Sequence, residues 1–197
     1  VFGAISLDLF AVLFGGVVPL FPPIADARLG VGAVGLGGLR AALGLGGGLV
    51  AVSLSVRPLR YNIGRVLLLM VGIFGVMTIV VGLTHSYTVA FVALMAAAGA
   101  DAVSVFVRTS VVPLATPEDM RGRVLAVENV FIGASNELGA VESGLTAALF
   151  GLAGAIVFGG VGTLVVVGLW WRFFPALRNL NSFAEVRQLA RTDSQTQ

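Results

Sequence analysis

Three polar pairs, Glu128-Asn129, Ser135-Asn136 and Glu142-Ser143, recur at intervals of seven within an otherwise apolar stretch. Seven residues are close to two helical turns, so in a helix the pairs return to one face as a polar stripe, with Glu137 off its centre. Upstream, Asp101, Ser104 and Arg108 are spaced by three and four and share a face of their own. Asp8 and Arg40 stand as single charges in two further apolar runs. A carboxylate held in a partly dry cavity can load and release a proton near neutral pH, which is what proton-coupled transport requires. Asp8, Asp101, Glu137 and Glu142 are the candidates for that role. Asp8, Arg40, Asp101, Arg108, Glu128, Asn129, Ser135, Asn136, Glu137 and Glu142 together form the candidate substrate path or proton-coupling set. For any one of them, a bond to a neighbouring helix or to an arginine is an equally open reading; for the stripe as a set, a cavity is favoured.

Other chemistries find less support. The chain has no cysteine and a single histidine, His85, so Cys-based and His-rich metal sites are excluded and no cofactor is expected. Gly35-Leu36-Gly37-Gly38 lies inside an apolar run without the preceding strand a nucleotide fingerprint needs. Gly133-Ala134-Ser135 with His85 raises an intramembrane serine protease, but Ser135 is expected near the centre of a span and His85 in a loop, too far apart for a nucleophile and its base.

The elements that must hold these residues are apolar. The sequence is 57% hydrophobic and 11% charged, and no charge occurs between Arg65 and Asp101 or between Glu142 and Arg172. Hydrocarbon about 30 Å thick needs about 20 apolar helical residues per crossing. Six segments qualify, at 2–25, 32–55, 66–83, 87–107, 124–150 and 154–171, and none shows the alternation of a barrel strand. The expected fold is thus all-α and polytopic, with a six-helix transmembrane unit over 1–174 and a polar cytoplasmic tail over 175–197. Ser182-Phe183-Ala184-Glu185 fits a capping box and starts a short amphipathic helix, which would lie along the headgroups or stay solvated. Gly44 with Gly48, and Ala155 with Gly159, have the small-xxx-small spacing of close helix pairs. Arg40 and Glu142 fall at similar depth and are expected to pair.

All twelve cationic residues are arginines. With short loops and alternating directions, one side receives Arg57, Arg60, Arg65, Arg121, Arg123, Arg172, Arg178, Arg187 and Arg191, the other only Arg28. The positive-inside rule then puts both chain ends in the cytoplasm. The first residue is Val1, and the first span begins without a basic leader, so further sequence is expected upstream.

The stretch Thr116-Pro117-Glu118-Asp119-Met120-Arg121-Gly122-Arg123-Val124, followed by Val130-Phe131-Ile132-Gly133-Ala134-Ser135-Asn136-Glu137-Leu138-Gly139 and Glu142-Ser143-Gly144, resembles the major facilitator superfamily, in its enterobactin-exporter-like and drug-efflux branch. The resemblance implies the carboxyl-terminal six helices of a permease of the bacterial inner membrane. Pro117, Glu118, Arg121, Gly122 and Arg123 would be its cytoplasmic loop motif. It also implies export of a small amphipathic molecule, of siderophore or drug type, coupled to protons. The partners implied are the lipid bilayer and a missing amino-terminal six-helix half or a second copy, with no nucleic acid. Gly64-Arg65 matches the end of the family's other loop signature, but Tyr61 stands where its acid belongs. A non-transporting six-helix scaffold is the competing class.

Overall fold

A computed structural model describes residues 2–15, 18–116 and 118–188; the side chains of residues 2, 4, 5, 8 and 12 are outside that description. Among the described residues every regular element is helical. The long ones are α1 (Phe2–Gly15), α2 (Gly32–Val56), α3 (Ile63–Leu83), α4 (Tyr87–Leu114) and α5 (Arg121–Phe173), followed by one turn, α6 (Pro175–Arg178). Several are long and apolar enough to cross a membrane, including the run Leu9–Arg28. The polar tail beyond residue 188, with Arg191, lies outside the described residues.

The first run does not end near residue 25, and Pro22-Pro23 does not break it. It continues through a 3-10 turn (Val18–Leu20), one α turn (Phe21–Pro23) and a π turn (Ile24–Arg28). Proline lacks a donor and is tolerated where a helix restarts, so the pair shifts the hydrogen-bond register instead of ending the rod. At its end Arg28 Nε donates to the carbonyl of Thr84 at 3.0 Å, fastening it to the turn after α3. α3 starts at Ile63, ahead of the expected residue 66, because Asn62 takes a left-handed conformation (φ 54°, ψ 36°) and reverses the chain there.

The 53-residue α5 is two helices joined at Gly151, whose φ of 72° and ψ of 169° belong to a region that only glycine enters freely. Its first arm, 121–150, runs antiparallel to α4, with Glu128 beside Arg108. Its second arm, 152–173, runs antiparallel to α3, with Gly160 against Gly75 and Ile156 against Gly82. The chain therefore turns back at Gly151.

Glycines set the closest approaches. A Cβ at Gly46 would overlap the carbonyl of Met95, and one at Gly159 the carbonyl of Phe14, so α2 meets α4 and α1 meets the second arm backbone to backbone. The Ala155/Gly159 pair thus packs, both residues being buried. The Gly44/Gly48 pair does not: both face open space, and it is Gly46, on the opposite side of the helix, that makes the contact.

The apolar interior forms two separate clusters. One, at the Arg28 end, gathers Phe21, Ile24, Leu39, Val81, Leu94 and Ile156. The other, at the end where most of the arginines lie, gathers Leu7, Ile63, Leu67, Val107, Val111 and Val166. The tail belongs to this second cluster. Val186 is buried in it, Phe183 meets Phe106 edge-on at 6.2 Å, and the N–H of Gly64 donates to the carbonyl of Leu180 at 3.1 Å. The amphipathic segment, helical over 183–188, is therefore docked on protein through Phe183 and Val186, with Arg187 and Gln188 exposed. Its cap forms as the sequence indicates, with Ser182 Oγ accepting from the N–H of Glu185 at 3.3 Å; the Glu185 carboxylate accepts from Asn181 N–H at 2.9 Å.

Candidate functional site

Between the two apolar clusters the bundle is not filled. A cavity of about 400 Å³ opens there, walled by α1, α2, α3, α4 and the first arm of α5. The reason is local. The run Ala96-Ala97-Ala98-Gly99-Ala100 on α4, with Gly15 on α1 and Gly47 on α2, brings backbones together without side chains long enough to meet across the middle. Phe21 and Phe74 supply the bulk of the apolar wall.

Four polar side chains interrupt that wall: Asp101 and Ser104 from α4, Asn136 from the first arm, and Thr78 from α3. Thr78 Oγ1 is already committed, donating to the carbonyl of Phe74 at 2.9 Å. Asp101 sits about 20 Å along α4 from either end, and Asn136 about 22 Å from either end of its arm, at 1.5 Å rise per residue. An acid and an amide thus meet the same space at mid-depth. The wall can orient a ligand through a few polar contacts while apolar groups fill the remainder.

One turn or two toward the arginine-rich end, Arg108 and Glu128 join α4 to the first arm, with Nε and Oε1 3.7 Å apart and both side chains buried. Arg108 and Ser104 share a face with Asp101, as their spacing indicates, so the stripe on α4 passes from cavity wall to ion pair.

The stripe on the first arm is narrower than the repeat suggests. Its buried line comprises Glu128, Ser135, Gly139, Ser143 and Thr146, while Glu142 is half-buried and bonded by the Ser143 hydroxyl at 3.5 Å. Asn129 and Glu137 are exposed, and of the amides only Asn136 turns to the cavity. The first member of each pair at 128 and 135 and the second at 143 lie on the buried side, because 100° per residue lets the face drift over two turns.

Arg40 is exposed on α2, and no ion pair within 4 Å joins it to Glu142. The expected pairing is therefore absent among the described residues; α2 packs chiefly on α4. Asp8 is within helical backbone of α1, but its side chain is outside the described residues, as is Pro117. Of the remaining loop motif, Glu118, Gly122 and Arg123 are exposed, and Arg121 Nε donates to the carbonyl of Pro113 at 3.1 Å, bracing the turn between α4 and α5. Ser135 is buried in mid-arm, about 22 Å from the end at which the exposed His85 lies, so His85 does not reach it.

Thr78, Phe74 and Gly47 were not singled out by sequence. The signal that could have pointed to the cavity was the run of small residues 96–100 facing glycines on two other helices. Comparison with family models, with curated proteins and with solved structures returned no match.

Proposed function

We propose that the chain is one half of a membrane-embedded secondary transporter, a six-crossing bundle that exports small amphipathic molecules with proton coupling. The observation that carries the reading is the mid-depth cavity with Asp101 and Asn136 on its wall. A charge in a span costs at least about 2.5–3.5 kcal/mol at the bilayer centre, so a carboxylate kept there beside an amide calls for a functional reason. The two arms of α5 supply two of the six crossings. The arginine-rich end faces the cytoplasm of a bacterial inner membrane, by the charge bias of loops. The motif residues around 116–144 support the major facilitator assignment, with α1 to α5 as its carboxyl-terminal half.

The reading also requires a partner bundle, either an amino-terminal half or a second copy. Ala33, Gly37, Arg40, Ala41, Gly44, Gly48 and Ala51 fall in one sector of α2, and Gly122, Ala126, Gly133, Glu137 and Gly144 in one sector of the first arm, about 100° and 60° wide at 100° per residue. All are exposed or nearly so. Small residues with a lone charge suit helix packing in lipid, whereas the adjoining Val34, Leu45, Leu49 and Val52 suit acyl chains. Both small-residue faces adjoin the cavity, so a partner there would close it.

The deciding experiment is flux in proteoliposomes holding the complete two-bundle assembly. A pH gradient is expected to drive efflux of amphipathic test compounds, and Asp101→Asn to abolish the pH dependence. Absence of any gradient-driven flux would remove the export reading. A scaffold, by contrast, predicts that single cysteines at Ala98 and Asn136 resist aqueous thiol reagents; the chain's lack of natural cysteine makes that comparison clean.

A further inference from the structure

A second concavity of about 500 Å³ lies on the outer flank, between α3 and the second arm of α5, away from the polar cavity. Leu69, Gly72 and Val76 form one wall and Leu164, Val167 and Trp171 the other. The groove is open over Gly72, where even a Cβ would meet only Val167, at 4.0 Å. Of the residues lining the groove, the single charged one is Arg65, at its arginine-rich end. Arg178 stands at the same end, its guanidinium 5.5 Å from the centre of the Trp171 ring. Neither arginine is paired with a carboxylate among the described residues. From Arg65 to Met77 the groove runs about 18 Å along α3, close to the hydrocarbon depth of one leaflet, half of about 30 Å, plus the step to the headgroups.

The geometry points to a binding site for an anionic phospholipid, with one acyl chain in the groove over Gly72 and its phosphate between Arg65 and Arg178. Trp171 sits at the level where indole rings favour the headgroup boundary, and its contact with Arg178 holds that cation over the groove mouth. Basic pockets between spans on the cytoplasmic side select acidic headgroups, and an apolar slot beneath them adds chain burial. A zwitterionic lipid would fill the slot but gain little at the mouth. The inference rests on the bilayer-embedded reading above. It does not need transport, so lipid retention and flux can fail separately.

The test is lipid retention by the full chain, purified in detergent and offered phosphatidylglycerol or phosphatidylcholine of equal chain length, read by native mass spectrometry. Two arginines at the headgroup are expected to give about 30-fold preference for phosphatidylglycerol, falling to about 5-fold for Arg65→Gln or Arg178→Gln and to near unity for the double variant. Arg65→Lys with Arg178→Lys should keep most of it. Gly72→Leu should weaken retention of both lipids. As a measurement on the unaltered chain, phosphatidylglycerol with a brominated acyl chain should quench tryptophan fluorescence in nanodiscs more than its phosphatidylcholine counterpart, and Trp171→Phe should remove the difference. Equal retention of the two lipids, a preference that survives loss of both arginines, or displacement by inorganic phosphate with no effect of Gly72→Leu would each overturn the assignment.

Discussion

The ion pair between Arg108 and Glu128 is where a single substitution should matter most. Both groups are out of solvent, and desolvation offsets much of their attraction, so the pair need not add net stability. Removing the arginine is a different matter, because the Glu128 carboxylate is then left buried beside an empty space. Arg108→Ala is expected to lower unfolding free energy by about 3–5 kcal/mol, and the combination of Arg108→Gln with Glu128→Gln to recover part of it, as read from thermal melts in detergent. A melt unchanged by Arg108→Ala would show that the carboxylate is relaxed by water. Arg108 and Glu128 could be singled out from sequence as charges in apolar runs, and their spacing placed each on a polar face. Their partnership could not, since nothing local fixes which turn of α4 meets which turn of the first arm. Arg40 and Glu142 illustrate the same limit. Their matched depth made them plausible partners, yet depth says nothing of which helices are neighbours.

At the level of helices, two glycines two residues apart on α2 should behave oppositely. Gly46→Ala drives a methyl into the Met95 carbonyl and must push α2 off α4, at about 1–3 kcal/mol. Gly44→Ala meets open space and should stay within about 0.5 kcal/mol, measured the same way. Equal effects would mean that α2 packs by another face. The small-residue spacing alone favoured Gly44 and Gly48, because spacing records that backbones can approach and not which side has a neighbour. Gly151→Ala is a backbone test. Its φ and ψ admit a side chain only with strain of about 1–3 kcal/mol, although nothing lies near the added carbon. Sequence marked a boundary between two apolar segments there, with residues 151–153 as the joint. The mutual orientation of the arms follows from one residue's dihedral angles.

For the molecule as a whole, the consequential feature is that two apolar clusters leave a middle layer with an acid, an amide and hydroxyls. Cysteines placed at Ala98 and Asn136 should react with a membrane-impermeant maleimide in liposomes, and a cysteine at Leu49 should not. Protection at both cavity positions would argue for a closed, non-conducting bundle. That the chain is all-helical, with several helices long and apolar enough to cross a membrane, was legible because composition and length decide it. The cavity was only half legible: its charged wall announced itself, while its volume came from alanines and glycines whose effect depends on three-dimensional neighbours. Asn129 and Glu137 show the converse, since a period of seven overstates how long one face persists on a 3.6-residue helix.

The docked tail has a consequence for biosynthesis. Leu180 and Val186, which seal the arginine-rich ends of α3 and α4, leave the ribosome only after all the long helices of the bundle. The long helices can therefore assemble before the bundle's arginine-rich rim is locked, and a stop codon placed after Arg178 should yield protein that accumulates normally yet is cut by protease near Ile63, where the chain with its tail resists.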